Sequence, residues 1–400
     1  MGHTSGCALL LCALLLACAG LSDGRQLYQA PLTPLQKVQA GYFNNTALFA
    51  HMREFASRCS SIARLTQIGK SVKGEPLLVL ELSNKPGQEE AKPNFIYIAN
   101  MHGTEPGGRQ LLLTLAEWLC ASYPKDATAQ RIIDGMHLYL MPTMNPDGYT
   151  EDLYENINFV NLNRDFPDPV QRKGKGLTAS GKEQPETTAV MNFFLSRPFT
   201  AAANMHEGAF VANYPYDGTP SGNTAYNPTP DDGTFRFLAR TYASRHVMMA
   251  NSTEFPGGIT NGAAWYPIYG GMQDWTYLST GTFQITLELW DIKGTAPPRT
   301  LWAQNRAPMT QYALWSTLGG LRGSVRRRGT LAPLEARITV GASSTVTRTT
   351  KRFGDFYRPL APSNTPYLVR VAVPALNWTQ SFNVTVPYTG RGALLNVIVP

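Results

Sequence analysis

The chain has 400 residues, of which 43 % are hydrophobic and 16 % are charged, and its formal net charge is +7. This composition excludes an intrinsically disordered chain, and the length favours two or three folded domains. Beyond the N-terminus, no apolar run reaches the ~18 residues that a membrane-spanning helix needs. We therefore expect no transmembrane anchor.

The chain begins with a short apolar segment, MGHTSGCALLLCALLLACAG, that ends in small residues. The triplet Ala17-Cys18-Ala19 fits a cleavage site, which predicts a secretory signal peptide over residues 1–19. The alternative is a bacterial lipobox with a lipidated Cys18. We expect a soluble, exported protein that is secreted or resides in the lumen of the secretory pathway.

Two cysteines remain after this segment, Cys59 and Cys120. An even pair in an oxidising compartment predicts one disulfide bond, and two buried free thiols are the alternative. Sequons of the N-x-S/T type, which accept glycans in exported proteins, occur at Asn44, Asn251, Asn377 and Asn383. Four such sequons favour a eukaryotic glycoprotein.

Strand and helix patterns alternate over the first four fifths of the chain. Short apolar runs predict strands, and apolar residues at helical spacing predict helices. The predicted strands are 94–100, 137–141 and 283–289, and the predicted helices are 107–120 and 186–196. This alternation predicts an α/β fold, a sheet with helices on both sides.

The last fifth of the chain differs in both pattern and charge. After about residue 319, short β-branched runs separated by turn residues predict a small β-sandwich. From Gly320 to Pro400 there are 11 Lys and Arg but only two acidic residues. A solvated basic face is the favoured interpretation, and a weak contact with polyanions is the alternative. Export argues against nucleic acid as a partner.

Polar residues follow several predicted strands, where the sites of open α/β sheets gather. His102 and Glu105 lie in ANMHGTEPGG, and His206 follows a run of small residues. Two histidines and one glutamate are a common ligand set for catalytic zinc. Glu288, within the predicted strand TLELW, offers a base. The alternatives are a chance H-x-x-E pattern, a structural histidine and an edge-strand glutamate.

Two further segments suggest contacts with a substrate. Asn163 and Arg164 offer a grip for a carboxylate, because arginine forms a forked pair with that group. A structural salt bridge is the alternative. Tyr266 lies in the glycine-rich segment NGAAWYPIYGGMQDW, which suggests a loop that closes over a site, although most tyrosines in such loops only pack.

Taken together, these segments resemble the zinc metallocarboxypeptidases, specifically the regulatory (N/E) branch that includes carboxypeptidases D, M, N and E. The ordered motifs are HGTE, NPDGY, NLNRDFPD, ANMHEGAFVANYPYD, ITNGAAWYPIYGGMQDW and TLEL. The resemblance implies a catalytic domain over residues 27–318, with a mixed sheet flanked by helices. It also implies a transthyretin-like β-sandwich over residues 319–400.

The resemblance implies a catalytic role for four residues. His102, Glu105 and His206 would bind one zinc ion. Glu288 would act as the general base and then as the proton donor to the leaving amine. The implied activity is hydrolysis of the C-terminal residue from peptides and proteins.

The resemblance also implies how the substrate is held. Asn163, Arg164 and Tyr266 would grip the C-terminal carboxylate, so that only the last residue is removed. Asp217 falls at the acidic position of the side-chain pocket, with Gln273 beside it. An acid at this position implies a preference for C-terminal Lys or Arg.

Three departures from the family pattern lie near these residues. Tyr154 stands where the family has an arginine that polarises the scissile carbonyl, and losing such a donor costs about a hundredfold in rate. Asn161 stands where the family has an aspartate that orients a zinc histidine. Losing such a carboxylate lowers metal affinity or activity by about 10–100-fold. Glu207 replaces a glycine and adds a carboxylate. The alternative function is therefore a catalytically weak or inactive protein that binds peptides or matrix.

Overall fold

The computed structural model describes residues 31–170 and 177–400. The predicted signal peptide, the lipobox alternative at Cys18 and the first residues of the predicted catalytic domain lie outside the described residues. Within the two described ranges, no helix combines the length and the hydrophobicity that a membrane crossing requires.

A mixed sheet of eight strands forms the centre of the fold. Its strands are β1 (Ala63–Lys70), β2 (Pro76–Leu82), β3 (Asn94–Ala99), β4 (His137–Met141), β5 (Phe199–His206), β6 (Ala209–Tyr214), β7 (Ile259–Asn261) and β8 (Phe283–Trp290). Their order is β1-β2-β4-β3-β5-β8-β6-β7. The four strands β4, β3, β5 and β8 run parallel to one another, and their neighbours β2 and β6 are antiparallel to them. The predicted strands match β3, β4 and β8 to within one residue.

Helices connect these strands and cover the sheet. They are α1 (Pro34–Val38), α2 (Asn45–Arg58), α3 (Gly107–Ser122), α4 (Ala127–Gly135), α5 (Pro146–Thr150), α6 (Pro185–Leu195), α7 (Asp232–Ala243), α8 (Val247–Ala250), α9 (Gly262–Trp265), α10 (Met272–Thr280) and α11 (Pro298–Thr317). The predicted helices correspond to α3 and α6. Short 3-10 turns add Leu162–Arg164, Pro256–Gly258 and Pro374–Leu376.

The central strands are buried on both faces. Successive residues of a strand point to opposite sides of the sheet, so Phe95 and Tyr97 of β3 enter one hydrophobic core with α3, α7 and α11, while Ile96 and Ile98 enter a second core with α6 and α10. Full burial of each such side chain stabilises the fold by about 1.5–3 kcal/mol. The predicted α/β fold with helices on both sides of the sheet is confirmed.

The C-terminal region is built from strands alone, apart from one 3-10 turn. They are β9 (Leu321–Arg327), β10 (Arg337–Val340), β11 (Thr347–Arg348), β12 (Asp355–Arg358), β13 (Tyr367–Val373), β14 (Trp378–Val384) and β15 (Ala393–Val399). They form two sheets, β11-β10-β13-β14 and β12-β9-β15, around a shared aliphatic core. The β-rich region is therefore confirmed, whereas its transthyretin-like identity and its boundary at residue 319 stay predictions.

One cation of this basic region is used inside the protein. Arg358 is buried, and its Nη2 donates to both carboxylate oxygens of Asp231, at 2.7 and 2.9 Å. Asp231 immediately precedes α7, so this pair fixes the β-rich region to the α/β part. Arg327 and Arg328 are exposed. The contact with polyanions gains no support from these contacts and stays a prediction.

The predicted disulfide bond between Cys59 and Cys120 is present. It joins the end of α2 to α3, and Cys59 is buried. The alternative of two free thiols is therefore wrong. The four sequon asparagines are all exposed, which agrees with glycosylation but does not establish it.

Candidate active site

The first two predicted metal ligands lie in the loop between β3 and α3. Asn100 begins this loop in a left-handed conformation (φ 54°), which asparagine tolerates. Its side-chain amide donates to the carbonyls of His102 at 2.8 Å and Gly103 at 3.2 Å. A Cβ at Gly103 would lie 2.2 Å from the backbone of Gly148, so only glycine fits. These contacts fix His102 and Glu105 in the loop just before α3 begins at Gly107.

His206, the last residue of β5, completes the predicted ligand set. Glu105 Oε2 lies 3.1 Å from His102 Nδ1 and 3.0 Å from His206 Nδ1, and the two Nδ1 atoms are 3.1 Å apart. All three side chains are buried. Two imidazole nitrogens and one carboxylate oxygen that converge in this way fit a catalytic zinc ion. Such an ion lowers the pKa of a bound water and polarises a carbonyl group.

Asn161 orients one of these histidines. His102 Nε2 lies 3.1 Å from Asn161 Oδ1, and the same oxygen accepts the backbone N–H of Asn163 at 2.8 Å. Since an amide oxygen only accepts, Nε2 carries the imidazole proton and the lone pair of Nδ1 faces the other ligands. The neutral side chain therefore makes the hydrogen bond that the resemblance implies for an aspartate.

Glu288 lies beside the ligand set. Strand β8 is an interior strand, so the alternative of a surface position on an edge strand is wrong. Glu288 is the register partner of His206 on the neighbouring strand β5. Its Oε2 is buried and has no hydrogen-bond partner among the described residues. Burial raises the pKa of Glu288 to about 7, against the lowering effect of His206. A carboxyl group with a pKa near neutrality suits proton transfer.

A cavity of about 160 Å³ connects these residues to the predicted substrate residues. Asn163 and Arg164 line it, and Arg164 Nη1 donates to the Asn163 carbonyl at 2.8 Å. Asn163 Oδ1 accepts the N–H of Met272 at 3.0 Å, which leaves the side-chain NH₂ group for a ligand. Tyr266 also lines the cavity and is 44 % exposed, so it lies at the mouth.

Asp217 lines the same cavity and is buried. Its Oδ1 accepts from Asn213 Nδ2 and from Gln273 Nε2, both at 2.9 Å. The amide oxygens of these two partners are buried and have no hydrogen-bond partner among the described residues. Burial raises the pKa of Asp217 to about 6. Asp217 and Asn213 line the cavity and present acceptors to a ligand, whereas Gln273 is not among the lining residues and contacts the ligand pocket only through its hydrogen bond to Asp217. The role of Asn213 was missed from the sequence.

Comparison with known proteins agrees with this geometry. The family profile for zinc carboxypeptidase matches residues 48–307. The chain belongs to the zinc carboxypeptidase family. It is therefore a member of a zinc-dependent hydrolase family, as the motifs predict.

Similar proteins place the carboxypeptidase in the predicted regulatory branch. It is 45 % identical over 332 residues to carboxypeptidase SOL1 of Arabidopsis thaliana, covering 82 % of this chain and 67 % of that protein. It is 38 % identical over 408 residues to carboxypeptidase E of Caenorhabditis elegans, covering 89 % and 85 %. The crystal structure of thrombin-activatable fibrinolysis inhibitor shares the fold, with a TM-score of 0.57, 20 % identity and coverage of 68 % and 73 %.

Tyr154 gives the carboxypeptidase an aromatic side chain next to a metal ligand. Its ring stacks on that of His102, with centroids 3.8 Å apart and planes 15° from parallel. Lys293 contacts both Tyr154 and Glu105 in this corner of the cavity. Its Nζ lies 4.2 Å from the centroid of the Tyr154 ring and 2.7 Å from Glu105 Oε1. Lys293 was missed from the sequence, where its only signal is its place five residues after Glu288.

Glu207, the added carboxylate, binds two backbone segments. Its Oε1 accepts the N–H of Gly107 at the start of α3, and its Oε2 accepts the N–H of Gly294 at 2.7 Å. Burial raises the pKa of Glu207 to about 7, although both backbone hydrogen bonds lower it. The side chain therefore ties the segment after Glu105 to the loop that carries Lys293.

Proposed function

We propose that this chain is a secreted zinc carboxypeptidase that removes the C-terminal residue, Lys or Arg, from peptides and proteins. The observation that carries the proposal is a single cavity with chemically distinct parts. One part holds the ligand set and the unpartnered carboxyl of Glu288. Another holds Arg164 and the acceptors around Asp217.

The grip on the substrate terminus follows from Arg164 and Asn163. The guanidinium group pairs with a carboxylate through two parallel hydrogen bonds, and the free NH₂ group of Asn163 adds a donor. Tyr266, at the cavity mouth, covers the terminal residue. A peptide without a free terminal carboxylate loses the forked pair with Arg164, so internal bonds are not cleaved.

The preference for a basic side chain follows from the acceptors around Asp217. Asp217 and Asn213 both line the cavity, and the Asp217 carboxylate and the unpaired Asn213 amide oxygen can accept hydrogen bonds from a ligand there. A guanidinium group offers five N–H donors and an ammonium group offers three. An apolar side chain would leave these buried acceptors unpaired, at a cost of about 1–3 kcal/mol each. Arg and Lys therefore fit, and Phe or Leu does not.

The proton transfers belong to Glu288. Its carboxylate takes a proton from the attacking water and returns it to the leaving amine, as a general base and then a general acid. A group with a pKa near 7 performs both steps at neutral pH. The buried position beside His206 keeps this carboxyl next to the ligand set.

The remaining predictions extend this proposal. The catalytic domain would span residues 27–318 and bind one zinc ion, and residues 319–400 would form a transthyretin-like β-sandwich. Residues 1–19 would direct export, and the exposed asparagines 44, 251, 377 and 383 would carry glycans. The complete ligand set, Glu288 and the hydrogen bond from His102 to Asn161 favour an active enzyme over the inactive alternative.

The test compares a peptide that ends in a free Arg with the same peptide as its C-terminal amide. The purified chain is loaded with zinc, its zinc content is measured, and products are followed by mass spectrometry. We expect release of Arg from the free acid only, because the amide offers Arg164 no carboxylate. Cleavage inside the peptide, equal cleavage of the amide, or no release by zinc-loaded protein would contradict the proposal.

A further inference from the structure

One positively charged side chain in the cavity, that of Lys293, has no role in the proposed metal site or in the proposed binding of the substrate carboxylate. Of the described residues that line the cavity, Lys293 and Arg164 are the two that carry a positive charge. The substrate carboxylate occupies Arg164 in the proposed function. Lys293 is 40 % exposed at its side chain, so its ammonium group is accessible to a bound peptide.

Lys293 contacts the oxygen of Glu105 that faces away from the two histidine ligands. Glu105 Oε2 faces the two histidine Nδ1 atoms, whereas Oε1 lies 2.7 Å from Lys293 Nζ. A Cβ placed on Gly208 would lie 3.9 Å from Glu288 Oε2 and 4.0 Å from Lys293 Nζ. The Lys293 ammonium group and the Glu288 carboxyl group therefore border the same small space next to the ligand set.

The loop that carries Lys293 is held in place. Glu207 Oε2 accepts the Gly294 N–H at 2.7 Å, and Glu207 Oε1 accepts the N–H of Gly107. The Thr295 hydroxyl closes the same loop by donating to the Ile292 carbonyl at 2.7 Å. These bonds position Lys293 against Glu105 and explain the carboxylate that the sequence adds at Glu207.

The same corner lacks the arginine that the family resemblance implies. Tyr154 stands at that position, and its phenol side chain, unlike a guanidinium group, carries no positive charge. Its ring lies flat on His102 and beneath Lys293 Nζ. A cation over an aromatic face is held there by the ring quadrupole. Tyr154 therefore supports a cation in this corner instead of supplying one.

We propose that Lys293 is a catalytic residue that stabilises negative charge on the carbonyl oxygen of the scissile bond. The inference rests on the proposed function. As the water oxygen bonds to the carbonyl carbon, the water proton moves to Glu288 and the π electrons move to the carbonyl oxygen. The Lys293 ammonium donates a hydrogen bond to that oxygen and keeps its proton. The π bond then re-forms, the C–N bond breaks, and Glu288 returns its proton to the amine.

The test uses Lys293→Met, Lys293→Arg and a matched control, Lys73→Met. Lys73 is also a half-exposed lysine paired with a glutamate, Glu151, but it does not line the cavity. Three quantities are measured: kcat and KM on a peptide ending in Arg, zinc content, and the Kd of a phosphinic peptide that mimics the tetrahedral state, determined by calorimetry. Free arginine serves as the ground-state ligand.

We expect Lys293→Met to lower kcat by about a hundredfold, the usual effect of losing one oxyanion donor. The phosphinic peptide should bind weaker by a similar factor, while KM, zinc content and the Kd of free arginine stay unchanged. Lys293→Arg should restore most of the loss, and Lys73→Met should behave as the wild type.

Several results would overturn the inference. One is a Lys293→Met enzyme with unchanged kcat. Another is a loss explained by reduced zinc content, because Lys293 would then only support Glu105. A third is weaker binding of the phosphinic peptide by Tyr154→Phe but not by Lys293→Met, because the Tyr154 hydroxyl would then be the hydrogen-bond donor. If zinc-loaded wild type releases no residue, the proposed function fails first.

Discussion

His206 and Glu288 are direct register partners on the adjacent parallel strands β5 and β8. The pairing places a proposed metal ligand and the proposed general base side by side at the carboxyl ends of two interior strands. Because parallel strands end at the same edge of the sheet, residues far apart in the chain meet there. The sheet order, and not the sequence spacing, brings the two side chains together.

Glu288→Gln tests the assignment of the base. The amide keeps the shape of the side chain but cannot take up a proton, so we expect kcat to fall by at least about a hundredfold. Zinc content should not change, because Glu288 is not among the three converging ligand atoms. The comparison variant His206→Ala should lose zinc as well as activity. Unchanged turnover of Glu288→Gln would remove this residue from the mechanism.

Asp217→Asn tests the basic pocket. The variant keeps an oxygen that can accept from Asn213 and Gln273, but it removes the negative charge. A hydrogen bond to a charged group is worth about 1.5–3 kcal/mol, so kcat/KM for a peptide ending in Arg should fall about 10–100-fold. The value for an otherwise identical peptide ending in Gln should change little. Equal losses on both peptides would show that Asp217 serves the fold and not selectivity.

The pH dependence of selectivity follows from the raised pKa of Asp217, about 6 in the free protein. Above this pH the group is ionised and attracts the substrate cation; below it the group is neutral. The ratio of kcat/KM for Arg over Gln peptides should therefore decline as the pH falls from 7.5 to 5. Effects on Glu288 cancel in this ratio. Asp217→Asn should show a flat ratio, and a flat ratio in the wild type would refute the assignment.

Asn161 variants test the orientation of His102. Asn161→Ala removes the acceptor of the Nε2 proton, and the loss of such a partner weakens metal binding by about 10–100-fold. Asn161→Asp keeps the acceptor and adds charge, so it should bind zinc more tightly than the wild type. Competition with a chromogenic chelator gives the zinc Kd. An alanine variant with wild-type affinity would show that Asn161 serves only the backbone of Asn163.

The disulfide bond contributes to stability away from the site. It links the end of α2 to α3 and joins two cysteines that are 61 positions apart in the sequence. Replacing both Cys59 and Cys120 by Ser should lower the free energy of unfolding by about 2–4 kcal/mol. Urea denaturation measures this change, and kcat should be retained at 25 °C. A stability equal to the wild type would contradict the expected contribution.

Much of the fold and the ligand set could be predicted because the signals are local. Strand β3 is a run of apolar residues, and His102 and Glu105 follow it within one short loop. Lys293 and Asn213 could not be found in this way. Lys293 matters because a loop held by Glu207 brings it to Glu105, and Asn213 matters because its amide meets Asp217. Both contacts arise from tertiary packing, which no spacing in the sequence records.

The central claim is an active zinc carboxypeptidase selective for basic termini, and one competition experiment tests it most directly. Zinc-loaded protein is given an equimolar mixture of three peptides that differ only in ending in Arg, Gln or Phe, with Glu288→Gln as the blank. Mass spectrometry follows the loss of each terminal residue over time. We predict that Arg is released first and that the blank shows no release. Release of Phe ahead of Arg, or no release of any residue by protein shown to hold zinc, would contradict the claim.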